Sequence, residues 1–302
     1  MKIIRKVILL IISAIIVVLL IKAFSKSAPV DEVEVRNVEN EEDQTKDENK
    51  KEIILEEPIV EEVTEPEKEH EEEQSVMSAS DISQLEAFTV IDTSAISPDM
   101  IQELFYAGEL TEDIMLRIQG NSYTENDNIT LDELKYVRVL HVGFDGETHI
   151  GELIVNEVIA DDIISIMKIL YENEYPIEKI VLIDQYDADD NLSMEDNNSS
   201  AFNYRTIAGT TRLSKHSLGM AVDINPKFNP YIRKDADGNQ IVEPANGVEF
   251  TERTENFPYK IDSDDLCYKT FVSHGFTWGG DWNSVKDYQH FEKSLDNVSS
   301  FE

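Results

Sequence analysis

The stretch SKHSLGMAVDINP, Ser214–Pro226, decides how the chain is read. It sets a histidine and an aspartate seven residues apart, split by a glycine and small apolar residues. Gly219 and Ala221 permit close backbone approach, and AVDIN continues as a short strand on which Asp223 points away from Val222 and Ile224. An aspartate in a segment otherwise fit for a core costs several kcal/mol if left unpaired, so it needs a basic side chain, a cap or a cation. Six histidines are available, and His290 lies in DYQHFE, a second strand-like segment with Asp287 three residues before it. Two histidines and one carboxylate leave a fourth position open on zinc, the arrangement of a hydrolytic site. On spacing alone a blander account stands beside this one: His216 caps a turn, Asp223 pairs with Arg205 or Arg212, and His290 packs.

Outward from this motif, the chain of 302 residues has room for one or two domains. Its 62 Asp and Glu against 26 Lys and Arg give a net charge of −36, which would repel a nucleic-acid backbone. The charge is concentrated: Asp31–Glu73 holds 20 acids and 5 bases. From about 27 to 79 the scattered Ile, Leu and Val are too few to bury a core, and a disordered acidic linker is expected. Residues 1–26 read differently. Lys2, Arg5 and Lys6 precede the apolar run Val7–Ile21, closed by Lys22 and Lys26. That run is expected to be an uncleaved membrane anchor, with a cleaved signal sequence as the alternative, and the basic N-terminal flank puts the rest of the chain outside the cytoplasm. Cys267, the only cysteine, cannot form an intrachain disulfide, so the domain expected over 80–302 holds together by packing.

Within 80–302, Ser97 and Thr111 cap two expected helices, running from Pro98 to about Ala107 and up to Gly120. YVRVLHVG (136–143) and HIGELIVN (149–156) read as strands joined by a hairpin at Asp145-Gly146. ADDIISIMKILYENEY is a helix with Ile163, Ile166, Met167, Leu170 and Tyr171 on one face, and IEKIVLID a strand. DQYDADDNLSMEDNNSS is a long loop by composition; a further hairpin turns at Asp237-Gly238. Paired strands with few helices give an α+β class: a small antiparallel sheet with flanking helices.

SKHSLGMAVDINP resembles the serine-x-histidine and glycine-x-alanine-x-aspartate core of the D-alanyl-D-alanine carboxypeptidase family of zinc metallopeptidases, the vancomycin-resistance carboxypeptidase type. WGGDWNSVKDYQHFE is similar to that family's closing motif, an acid, two residues, then histidine. SMEDNNSSAFNYRTIAGT and FDGETHIGELIVN resemble earlier blocks, so the likeness runs from about 114 to 292. The resemblance implies a Hedgehog-like fold, one Zn2+ held by His216, Asp223 and His290, Asp287 as catalytic acid and base, Arg205 and Ser214 as substrate-binding residues, and peptidoglycan stem peptides as partner. Expected chemistry is removal of the terminal D-Ala, with an endopeptidase or a catalytically silent wall-binding domain as alternatives. An iron(II) oxygenase fits poorly, because its histidine and aspartate ligands usually lie two apart. Strand alternation would turn Asp287 away from His290, so Asp287 is expected at the bend before the strand. Lesser candidates are His274 as a substitute ligand, Asp281 and Glu292 as bases or orienters of ligands, and Trp278 and Trp282 as groove walls. His141, His149 and His70 are expected to be structural or in the linker, and DADDN and DADGN to be turns, since neither has the glycine and final glutamate at the offsets a calcium loop requires.

Overall fold

The structure, a computed structural model, describes residues 78–207 and 210–294. The apolar run Val7–Ile21 and the acidic segment lie outside them; among the described residues no helix is long and apolar enough to cross a membrane.

The centre is an antiparallel hairpin, β2 (Leu134–Val142) and β3 (Thr148–Asn156), turning at Gly146 with φ +80°. A short strand, β1 (Tyr106–Glu109), pairs with the free edge of β2, where a helix extending to Ala107 was expected. The helix that precedes it stops at Glu103, so the segment after it is free to join the sheet. Asn156 ends β3 and caps the next helix, its side chain accepting from the Val158 N–H at 3.1 Å. That helix (Glu157–Glu172) buries Ile163, Ile166, Met167 and Leu170 as expected, with Tyr171 partly buried beside them, and extends the stripe by one turn to Ile159, against one face of the hairpin. Each such side chain contributes about 1.5–3 kcal/mol of burial. The hairpin's other face packs on Ile118, Tyr123 and Phe202, so it is covered on both sides.

The second half builds small sheets on this frame. β6 (Ala221–Asp223) and β9 (Thr277–Trp278) flank β11 (His290–Glu292), all antiparallel. Phe291 points into the core from β11 and stacks on Phe271 at 4.2 Å. The hairpin β7 (Tyr231–Lys234) and β8 (Gln240–Glu243) turns at Gly238 and accepts β10 (Lys286–Asp287) on its edge. The class is α+β as expected, but its strands form several small sheets where one was expected.

Two local expectations are corrected. IEKIVLID pairs as a strand only at β4 (Lys179–Ile180), parallel to β5 (Asn198–Ser199). Beyond it, side chains take the backbone donors: Asn198 Oδ1 accepts from Val181 N at 2.9 Å, and buried Glu152 from Leu182 N at 3.5 Å. The polar run after it is no simple loop, because Asp189 caps a helix over Asp190–Glu195.

Candidate metal centre

His216 lies in a single 3-10 turn, Lys215–Leu218, opened by Ser214, whose hydroxyl accepts from the His216 N–H at 3.3 Å. Gly219 closes the turn at φ +65°. A Cβ at this position would stand 2.5 Å from Asn156 N, whose N–H donates to the Gly219 carbonyl at 2.9 Å. Glycine is therefore required twice here, for its backbone angle and for the close approach. The contact seats the histidine turn on the end of β3 and hands the chain to β6, which carries Asp223. On β11, His290 sits directly opposite Asp223 in register.

These pairings bring three side chains together. His216 Nε2 is 3.1 Å from His290 Nδ1 and 3.2 Å from Asp223 Oδ2, and His290 Nδ1 is 3.0 Å from Asp223 Oδ1. All three residues are buried, and they are the one potential metal-ligating group of this kind among the described residues. The outer nitrogen of each ring is already engaged. His216 Nδ1 donates to the Ala201 carbonyl at 2.5 Å, and His290 Nε2 donates to Glu292 Oε2 at 3.1 Å. With their protons committed outward, both rings turn lone pairs toward a carboxylate, and three acceptors facing one another call for a cation or for extra protons. Zinc suits the donor set: bonds of about 2.0–2.1 Å in a tetrahedral site put neighbouring donors about 3.3 Å apart. The electrostatics agree. Despite burial, both histidines hold the Asp223 carboxyl well below the usual carboxylate range. Burial also opposes a charge on His290, yet its bonds to Asp223 and Glu292 lift it to about 10. The anionic surroundings thus favour positive charge at this point.

Asp287 faces the same cleft. It ends β10, opposite Tyr231, and two residues separate it from β11. Asp287 and His290 therefore belong to different sheets, which removes the conflict with strand alternation; the acid sits at the end of its own short strand, just ahead of the bend. Its buried Oδ1 has no hydrogen-bond partner among the described residues. Burial, with the Asp223 charge adding to it and His290 opposing, pushes its carboxyl up to about 7. A group poised there can accept and return a proton near neutral pH.

The cleft encloses about 580 Å³, within the range of small-ligand sites. Arg205, Arg212 and Lys215 line it, as do Tyr231 and Glu243 of the second hairpin. Arg205 pairs through Nε with Asp190 and not with Asp223, while its terminal guanidinium nitrogens have no partner among the described residues. Ser214 lines the cleft, and its hydroxyl serves as the cap of the turn. Trp282 also lines it, 5.3 Å from the His290 ring, whereas Trp278 is buried in the core. His274 is kept out of the cluster: it ends the helix Leu266–Ser273, its Nδ1 bonded to the Thr270 carbonyl at 2.8 Å. Asp281 reaches toward Tyr268. DADDN, expected as a plain turn, supplies the cap Asp189 and the Arg205 partner Asp190. Nothing in its composition announced that role, and the Ala201 carbonyl, being main chain, leaves no trace in the sequence.

Residues 208–293 match the family model described as D-alanyl-D-alanine carboxypeptidase. The matched stretch contains His216, Asp223, Asp287 and His290 and stops short of Arg205. No curated protein and no solved structure matches the chain significantly.

Proposed function

From a chain whose residues 208–293 support membership of the D-alanyl-D-alanine carboxypeptidase family, we propose a zinc-dependent peptidase that removes the terminal D-Ala from peptidoglycan stem peptides. One observation carries the reading: three inward-facing acceptors, His216, Asp223 and His290, share a cleft with a carboxylate, Asp287, whose buried oxygen has no partner. When bound, zinc supplies a Lewis acid and makes hydroxide available from water near neutral pH. Asp287 takes the proton of the attacking water and returns it to the leaving amine. The free end of the Arg205 guanidinium, aimed by Asp190, is a planar fork suited to a peptide's terminal carboxylate. Ser214 acts through the turn that carries His216.

A cleft lined by Tyr231 and Glu243 as well as by Arg205 and Arg212 also suits an endopeptidase that cuts inside the stem or a cross-link. A silent wall-binding domain is the weaker rival, since such a domain has no use for a buried Asp287 carboxylate whose Oδ1 has no partner among the described residues. The setting belongs to the proposal as well: the run Val7–Ile21 anchors the chain in the cell membrane, and the catalytic head works outside the cytoplasm on the wall.

Mass spectrometry of defined stem pentapeptides and cross-linked muropeptides, incubated with the full-length chain with and without a chelator, tests this. Loss of one terminal alanine, blocked by chelator and restored by zinc, is expected. An internal cut with the same metal dependence makes the protein an endopeptidase; no product from zinc-loaded protein refutes the enzyme and favours the binding domain.

A further inference from the structure

We infer that Glu292 is the positioning residue of the metal centre, deciding which ring nitrogen His290 presents. The inference rests on the reading of the cluster as a zinc site and adds a residue that the ligand set does not include. Alternation along β11 puts His290 and Glu292 on one face and Phe291 on the other, where its stacking on Phe271 fixes the strand's orientation. Across the sheet, Glu292 is opposite Ala221 on β6 and Thr277 on β9. Ala221 offers only a methyl group, which leaves the carboxylate room to lie against the neighbouring imidazole.

The contact is specific. Glu292 Oε2 stands 3.1 Å from His290 Nε2, while His290 Nδ1 faces Asp223 and His216. An imidazole can rotate about its Cβ–Cγ bond so that Nδ1 and Cδ2 exchange places, and in the rotated ring a C–H would face the other two ligands. By accepting the proton of Nε2, Glu292 selects both the tautomer and the rotamer that leave Nδ1 bare toward the cluster. The two histidines are thus held in different ways. His216 presents Nε2 and leans on a neutral main-chain carbonyl, that of Ala201; His290 presents Nδ1 and leans on a carboxylate. A negatively charged acceptor also makes the opposite ring nitrogen the more basic donor, which a carbonyl does less well.

Zinc affinity of the full-length protein, measured by competition against a chromophoric chelator, tests the assignment without any substrate. E292A is expected to raise the zinc Kd by about 10–100-fold, the range for loss of such a partner. E292Q keeps an acceptor oxygen without the charge and should fall between E292A and the parent. Metal-free E292A should lose some stability, because His290 Nε2–H loses its acceptor there too, but the loss should be smaller than the loss in zinc binding free energy. An unchanged zinc Kd in E292A overturns the inference and leaves the zinc site standing. A weakened Kd accompanied by an equal loss of stability in the metal-free form assigns Glu292 a structural role instead. A parent protein that binds no zinc overturns the reading of the cluster itself.

Discussion

Gly279 packs its Cα against the strand that carries Asp287, and replacing it with alanine is the most informative single perturbation of the site. A Cβ at residue 279 would stand 2.5 Å from the Asp287 carbonyl oxygen and 2.7 Å from Asp287 Cβ. Carbon atoms rest at about 3.5–4.0 Å from their non-bonded neighbours, so β10 has to withdraw by about 1 Å. The strain is purely one of contact, because the Gly279 backbone lies outside the left-handed region that alanine avoids. β10 is only two residues long, and Asp287 Oδ1 has no hydrogen-bond partner among the described residues to keep it in place while the backbone moves. Displacing a catalytic group by about 1 Å costs on the order of 10²-fold in rate. Gly279→Ala should therefore lower kcat/KM toward a stem pentapeptide about 10²-fold, with one equivalent of zinc retained, since the ligands sit on β6, on β11 and in the Lys215–Leu218 turn. Turnover followed by mass spectrometry and zinc content by elemental analysis read the two effects separately. Gly280→Ala is the control: its Cβ would stand 2.3 Å from the ring of buried Trp278, so the expected loss there is in melting temperature. Full turnover in folded Gly279→Ala would refute the assignment of Asp287 as the group whose position limits the reaction.

Asp287→Ala should keep zinc and lose at least about 10²-fold in turnover, the lower end for a general acid–base group; near-normal rates would move the proton transfer to another carboxylate of the cleft. His290→Ala should lose zinc while His274→Ala binds one equivalent, and a metal-free His274→Ala protein would contradict the cluster described here. Chelation should lower the melting temperature by about 5–10 °C at metal concentrations about 100 times Kd, from about 2.7 kcal/mol of linkage in a domain of this size; an unchanged melting temperature argues that the folded protein holds no metal. Deleting Met1–Lys26 should move the protein from the membrane to the soluble fraction of cells with its activity kept, and a truncated protein that still sediments with membranes would place the attachment elsewhere.

Strand alternation and short spacings pick out His216, Asp223 and His290 as candidates, and the family resemblance, not spacing alone, sets them apart from a capped turn with a packed histidine. Asp223 between Val222 and Ile224 is an anomaly in an apolar strand, and His290 opposite Asp223 repeats the anomaly on the partner strand. The β2–β3 hairpin and the helix after it could be read because two long apolar, β-branched runs around Asp145-Gly146 and an apolar stripe of period 3.6 are strong local signals. What escaped are features decided by distant groups. IEKIVLID has the composition of a strand, yet Asn198 and Glu152 take its backbone donors beyond Ile180. The polar run 184–200 looks structureless until Asp189 caps a helix and Asp190 finds Arg205. The division of strands among several sheets was equally hidden, since each pairing of two or three residues carries too little local signal to announce a partner.

The pairing of Asp223 with His290 also governs timing. β11 is the middle strand of its sheet, with β6 on one side and β9 on the other. A chain emerging from the ribosome has made His216 and Asp223 long before His290, and it holds two thirds of a metal site with nothing to complete it. Only when β11 inserts between its neighbours do the three donors meet, so the capacity to hold the ion is acquired in the same step that finishes the sheet. On the zinc reading proposed above, a copy that has not seated β11 lacks one of the three ligands, and metal loading would report that the sheet is complete.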